Sequence, residues 1–296
     1  MSASGAATTT SSKDLLIVGP GVLGRLVAAQ WREAHPTARI VGETSTKDNH
    51  DALRALGIEP RDREEGMADE GTFPFVLFAA PPSGSDDYPG ELARAGDRWS
   101  GEGTFLFTGS AAVYDVEEGA CDEDSPLKTL GMSDRSDRLL ASEDVVLSRG
   151  GCVVRLVGLY HAHRGAHHHF LKIQTVPRWG DKIINLIHYE DAADISCAIL
   201  KGTTNDDGSS SYFRSKAFLG ADGHPVSFQA LTDATLSSGK YRGACKFVGE
   251  PDGPEGKRVS NQKTRDALGG WKPKHASFES FMASGAVDSY ADHTSE

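Results

Sequence analysis

Residues 14–24, DLLIVGPGVLG, run from a short apolar stretch into three glycines spaced G-x-G-x-x-G, and the segment VLGRLVAAQWREA (22–34) continues from them. An apolar run of this length, bounded by a turn, suits a strand buried on both faces. Beyond it, Leu23, Leu26, Val27 and Trp31 recur at helical spacing, and Pro36 follows soon after. In a strand, turn and helix of this kind Gly19 permits the tight turn and Gly21 lets the backbone approach a pyrophosphate. Gly24 allows close packing of helix on strand. The anion would sit at the helix N-terminus, beside Val22 and Leu23, where free N–H groups and the helix dipole favour negative charge. Pro20 has no N–H to offer and only stiffens the turn.

The same alternation extends along the chain. ARIVGE (38–43) reads as a strand and HDALRALG (50–57) as a helix; PFVLFAA (74–80), TFLFTG (104–109) and CVVRLVG (152–158) read as three further strands, with helical patterns at 87–98 and 134–148. Strands alternating with helices predict an α/β fold, a doubly wound, Rossmann-like parallel sheet covered on both faces. After residue 158 the rhythm changes: a histidine-rich loop (161–169), KIINLIH (182–188), a helix at 190–201, a polar break at 202–211, a strand at 211–220, a helix at 227–238 and a strand and helix within 253–269. The expected partition is a dinucleotide-binding core (13–158 and 182–202) and a small C-terminal α+β, substrate-facing region (159–181 and 203–296). Residues 1–12, MSASGAATTTSS, are too poor in apolar side chains to offset their ordering entropy and are expected to be a disordered arm.

Composition excludes several classes of function. With 42 acidic and 31 basic residues the formal charge is −11, which disfavours nonspecific nucleic-acid binding and attraction to an anionic membrane surface. No apolar run approaches the length of a membrane span, so a protein without membrane insertion, soluble and intracellular, is expected. Cys121, Cys152, Cys197 and Cys245 are scattered without a C-x-x-C pair, which suits a reducing compartment rather than a zinc site or a disulfide framework.

Five segments together resemble the extended short-chain dehydrogenases/reductases of the NAD-dependent epimerase/dehydratase type: GPGVLG (19–24), FLFTGSAAVYD (105–115), VVRLVGLY (153–160), INLIHYEDAA (184–193) and GKRVSNQKTRDALGGW (256–271). The likeness spans about residues 14–285 and looks closest to atypical members, bacterial and plant-plastid proteins among them; it implies a plastid stroma or the cytoplasm as the setting. It also implies a Rossmann core, NAD or NADP as cofactor, a small-molecule substrate and a second copy of the chain as a candidate homodimer partner. Typical members carry a Ser or Thr after the fifth strand and a Tyr and Lys four residues apart on the next helix. Ser110 matches the hydroxyl. Glu143 matches the family's glutamate four residues past the Lys, which puts Leu139 at the Lys position and Arg135 at the Tyr position. No tyrosine occurs between Tyr114 and Tyr160, so a shifted alignment does not restore the dyad. Tyr212 and Lys216 have the right interval, but in a strand their Cα atoms lie about 13 Å apart.

The candidate site follows from these readings. Gly19, Gly21, Val22, Leu23, Gly24, Glu43 and Ala80 are expected to bind cofactor. Glu43 stands 19 residues after Gly24, where an acid would hold the adenosine ribose and favour NAD, whereas Thr44, Ser45 and Lys47 could receive a 2′-phosphate. Ser110 and Tyr114 are the expected catalytic groups facing the nicotinamide. Tyr160, His161, His163 and Arg164, at the sheet's C-terminal edge, are expected to face substrate, with Arg164 suited to an anionic group. His161 and His163 have the interval of a chelate but no acidic or cysteine partner nearby, so no metal is assigned. The functions weighed are an NAD(P)-dependent epimerase, isomerase or reductase with a nonstandard active site, a noncatalytic NAD(P)-binding sensor or assembly factor, and a metal-assisted hydrolase built on the histidine loop.

Overall fold

Side chains alternate across a strand, so each apolar run can serve two cores at once. The computed structural model of the chain describes residues 12–68, 71–251 and 253–289; apart from Ser12, the expected N-terminal arm lies outside them. The first half runs β1 (Leu15–Val18), α1 (Val22–Ala34), β2 (Ile40–Thr44), α2 (His50–Ala55), β3 (Glu59–Asp62), α3 (Arg63–Ala68), β4 (Phe75–Phe78), α4 (Tyr88–Asp97), β5 (Phe105–Ser110) and β6 (Gly119–Cys121). The second runs α5 (Asp134–Ser148), β7 (Cys152–Leu156), β8 (Gly158–Tyr160), α6 (Ala166–Ile173), β9 (Leu186–His188), α7 (Tyr189–Lys201), β10 (Lys216–Gly220), α8 (Phe228–Ser237), β11 (Lys257–Val259), α9 (Gln262–Ala267) and α10 (Phe278–Ala283).

Seven strands form one parallel sheet in the order β10-β7-β5-β4-β1-β2-β3. Leu15, Ile17, Phe75, Leu77 and Leu106 pack with α1 and α7 on one face. Leu16, Val76, Phe78, Phe105 and Phe107 pack with α4 and α5 on the other. This is the doubly wound, Rossmann-like α/β fold that the sequence predicts. Strand order reverses between β1 and β4, which opens a crevice at their C-terminal ends.

Two parts of the sheet differ from expectation. The β3 strand, EPRD, has one buried residue in four and sits at the sheet edge, so it carries no apolar run to betray it. The β10 strand, expected within the substrate-facing region, pairs with β7 and completes the core sheet. Tyr212 precedes β10, and its hydroxyl accepts from Lys13 Nζ at 3.3 Å, so it lies at the sheet edge opposite the glycine turn. Its interval to Lys216 therefore has no bearing on the crevice.

The C-terminal region builds its own core from Tyr160, Phe170, Leu186, Phe228, Leu231, Phe278 and Phe281. Trp271 ties the tail to the main body: its Nε1 donates to Asp194 at 2.6 Å. Among the described residues, no helix is long and apolar enough to cross a membrane, and all four cysteines are free thiols.

Candidate functional site

Gly19 adopts φ +81°, and a Cβ there would meet the backbone N and Cα of Ala80 at 2.5 Å. The turn and the end of β4 therefore touch, and only glycine fits between them. Gly24 packs against Ile17. Gly21 differs: its φ of −73° is open to any residue, and a Cβ built on it meets nothing within 4 Å. Nothing inside the protein requires glycine at this position, and the space over it opens into the crevice. Gly21 caps α1 without a side-chain hydrogen bond, which leaves N–H groups of the first turn directed at that space.

Three hollows follow one another along the sheet edge. The first, about 170 Å³, is bounded by Glu43, Thr44, Ser45 and Arg63. It shares Gly19, Ala80 and Pro81 with a second of about 430 Å³, which Gly21, Val22, Leu23, Gly24, Tyr88, Arg164 and Tyr189 also line. The second shares Ser110, Arg135, Leu156 and Val157 with a third of about 500 Å³ that reaches Asn185 and Lys257. All seven expected cofactor residues thus border the first two hollows.

The acid at the end of β2 is not isolated: Glu43 Oε2 accepts from Arg61 Nε at 3.1 Å and pairs with its Nη2 at 3.0 Å. Lys47, weighed as a phosphate ligand, pairs with Asp62 at 2.7 Å and Glu65 at 3.2 Å. Ser45 and Arg63 line the hollow in its place.

Ser110 ends β5 at the junction of the second and third hollows, and its Oγ accepts from Ala112 N at 3.2 Å. A hydroxyl that accepts one bond still has its own O–H to donate. Arg135 and Leu139 line the crevice one helical turn apart on α5, with Glu143 a further turn along the same face. Glu143 is buried against Arg155 of β7 through three contacts of 2.8–3.2 Å, so this pair fixes which face of α5 meets the crevice. Two tyrosines that the sequence reading did not single out also border it. Tyr88 donates to Ala80 O at 2.7 Å. Tyr189, at the start of α7, follows directly on the His188 cap, and the motif IHYEDAA was the available signal for it.

Four of the expected site residues are placed elsewhere. Tyr114 is 1% exposed, its ring stacked 4.9 Å from the Arg155 guanidinium and packed with Cys121, Leu219 and Val259, below the crevice rather than in it. Burial raises its pKa further above the ordinary phenol value. Tyr160 is fully buried among His188, Phe278 and Phe281. His161 is buried with its Nδ1 3.6 Å from Asp288, and His163 is exposed and does not line the crevice. Of the expected substrate-facing set, only Arg164 borders it. The cause is the same for Tyr160 and His161: α10 and the segment through Asp288 cover the loop that the sequence leaves open.

Within the histidine segment, His161 and His167 are buried and serve the fold, whereas His163, His168 and His169 are exposed. Burial lowers the His167 pKa to about 4, against a weaker upward pull from its contact with Ala162 O. A histidine held neutral in the fold stabilises it above pH 6.5, and that contribution is lost as pH falls from about 6.5 towards 4, because the unfolded chain takes up the proton first. The stability advantage of the native protein over His167→Gln is expected to shrink by about 2 kcal/mol between pH 7.5 and pH 4.5. Urea denaturation of both proteins across that range checks it; parallel profiles would refute the assignment.

Among the described residues, His188, Glu190 and His275 form the one group of three metal-type ligands. Their atoms already have partners: Glu190 Oε2 lies 3.0 Å from His275 Nε2 and 3.1 Å from Lys274 Nζ, and His188 Nε2 lies 3.0 Å from Asp288. Burial raises the Glu190 pKa, but these bonds outweigh it and bring the pKa down to about 2. The Lys274 ammonium supplies the positive charge that a metal would bring, so the donor set does not call for an ion. The acidic loop at 117–124 is likewise docked in part, with Lys263 pairing Asp122 and Asp124 and Glu123 accepting from Thr264 N.

No family model and no curated protein matches the chain. Solved structures do. A functionally unknown conserved protein from Silicibacter pomeroyi superposes with a TM-score of 0.70 at 20% identity, covering 92% of this chain and 98% of that one. UDP-glucuronic acid 4-epimerase from Bacillus cereus, in complex with NAD, gives 0.69 at 15% identity over 92% and 94%. The dTDP-glucose 4,6-dehydratase from Bacillus anthracis, also in complex with NAD, gives 0.68 at 12% identity over 92% and 95%. What the chain shares with these epimerase and dehydratase structures, over nearly its whole length, is the Rossmann-like fold.

Proposed function

We propose that the chain binds NAD or NADP along the C-terminal edge of its sheet and acts on a small molecule as an atypical epimerase, isomerase or reductase of the short-chain dehydrogenase type. The observation that carries this is the open space over Gly21, bordered by the free end of α1 and continuous with hollows on both sides. A turn that served only to connect strand and helix would not need glycine there. Gly19, Gly21 and Gly24 with the first turn of α1 would hold the pyrophosphate, Glu43 the adenosine ribose, and Ser110 would lie at the nicotinamide end. The similarity to structures solved with NAD supports the same reading. Glu43 offers an acceptor to the ribose hydroxyls of NAD, while Arg61, paired with it, and Arg63, lining the same hollow, suit a 2′-phosphate, so the site accommodates either cofactor.

Bound NAD or NADP would supply reversible hydride transfer. The chain's own part is to orient the substrate and move its proton, and the usual dyad is not present for this: Arg135 stays protonated and Leu139 has nothing to transfer. Four hydroxyls line the cofactor hollow: Tyr88 and Thr108 donate to Ala80 O and Phe78 O, whereas Ser110, which also borders the third hollow, and Tyr189 are the candidates for this step. A second reading, a noncatalytic NAD(P)-binding sensor, draws on Leu139, an apolar residue where a ribose-binding lysine would stand.

Mass spectrometry of nucleotide copurifying with the full chain, followed by calorimetry with NADH and NADPH, tests the binding. Turnover of NAD-linked carbonyl and nucleotide-sugar substrates that falls about 10²–10⁴-fold in Ser110→Ala or Tyr189→Phe, with NADH affinity retained, supports the enzyme. Saturable binding with no turnover on that panel supports the sensor. No binding of either dinucleotide would refute both.

A further inference from the structure

Arg135 takes the position of the expected proton donor and opens onto both the cofactor hollow and the one beyond it. The third hollow is also lined by Lys257, whose strand is held by Asn185: Nδ2 donates to Lys257 O at 2.8 Å and Oδ1 accepts from Val259 N at 2.8 Å. The Lys257 ammonium is half-buried and donates to two carbonyls, Ala111 O at 2.9 Å and Tyr114 O at 3.3 Å, which leaves a third N–H. Neither cation has a carboxylate within ion-pair distance among the described residues. Ser110 lies on the same wall.

Charge makes this arrangement unusual for the chain. The protein carries a formal −11, yet the described lining of the third hollow holds Arg135 and Lys257 against one carboxylate, Glu117 at the exposed rim. A cleft of one sign concentrates ligands of the other. The pyrophosphate of a dinucleotide belongs at the glycine turn and does not reach past Ser110 to Lys257. A guanidinium cannot give up its proton, but its planar fork of donors matches a carboxylate or phosphate in two bonds.

We propose that this end of the crevice is an oxyanion site, in which Arg135 and Lys257 hold a carboxylate or phosphate group of the substrate next to Ser110. The inference rests on the cofactor reading above and narrows it: the substrate is an anion whose charge lies near the reacting carbon, and the position usually given to proton transfer is given to charge recognition.

The test is calorimetry on the full chain saturated with NADH, using oxalate and inorganic phosphate as probes and oxamide as the uncharged counterpart of oxalate. Saturable binding of oxalate or phosphate and none of oxamide is expected, with Arg135→Ala weakening it about tenfold or more and Arg135→Lys, which keeps the charge without the fork, weakening it less. Lys257→Gln is expected to weaken it as well. Arg135 is exposed, so its variants test the site even where Lys257→Gln disturbs the 111–114 turn. Tighter oxalate binding identifies a carboxylate substrate, and tighter phosphate binding a phosphorylated one. Normal NADH affinity with no saturable anion binding, or binding that Arg135→Ala leaves unchanged, overturns the oxyanion site and leaves the cofactor reading standing. Failure to bind NADH and NADPH overturns the cofactor reading itself.

Discussion

Glu143→Ala is expected to lower the free energy of unfolding by about 3–5 kcal/mol, read by urea denaturation. Glu143 and Arg155 have side chains only 4% and 6% exposed, and the carboxylate takes three contacts from the guanidinium. Removing the acid strands a buried cation, whose desolvation is then unpaid by any partner charge, and the Tyr114 ring at 4.9 Å recovers only part of it. Replacing both partners, as Glu143→Leu with Arg155→Met, is expected to leave stability within about 2 kcal/mol of the native protein, because the apolar pair needs no desolvation. A double variant as unstable as Glu143→Ala would show that the hydrogen-bonded ion pair is itself net stabilising, and that a stranded Arg155 charge is not the cause. The pair also sets the rotation of α5, so the single variant is expected to disturb the placement of Arg135 and Leu139 on the same face.

What could be read from the chain in advance divides along physical lines. The strands β1, β2, β4, β5 and β7 are buried on both faces, and continuous apolar runs such as LLIV and FVLF express that directly. The edge strand β3 needs little apolar surface and leaves no such trace. The β10 strand is apolar enough to recognise, but its partner, β7, lies some 60 residues earlier, and apolarity does not name a partner. The glycine turn was legible because its spacing sits directly between a strand and a helix in the chain, although the clash that excludes a side chain at Gly19 comes from Ala80. Tyr160 and His161 were not, since whether they face solvent depends on α10 and on Asp288, more than 100 residues further along. Buried groups there are bound to the tail: hydrogen bonds from His161, His188 and Ala162 N overcome the effect of burial and hold the Asp288 carboxyl below the usual carboxylate range. Such long-range cover turns Tyr160 and His161, read from the sequence as facing substrate, into core.

Gly21→Val is expected to fold as the native protein does and to lose NADH or NADPH affinity by about 100-fold or more, roughly 2.7 kcal/mol. Two glycines two residues apart differ in what surrounds them. At Gly19 the backbone is left-handed and a Cβ would lie 2.5 Å from Ala80, so Gly19→Ala strains the turn itself and its effect on binding cannot be separated from its effect on folding. At Gly21 the backbone suits any residue and a Cβ meets no protein atom within 4 Å, so the substitution costs the fold at most the ~1 kcal/mol of a poorer helix cap. The valine methyls would instead occupy the space where the pyrophosphate approaches the first turn of α1, replacing N–H groups by apolar surface and forcing the phosphates away from the dipole. Calorimetric titration beside a thermal unfolding curve separates the two effects. Unchanged affinity in a well-folded Gly21→Val protein would mean that no dinucleotide crosses this turn, however closely the strand, turn and helix match the pattern.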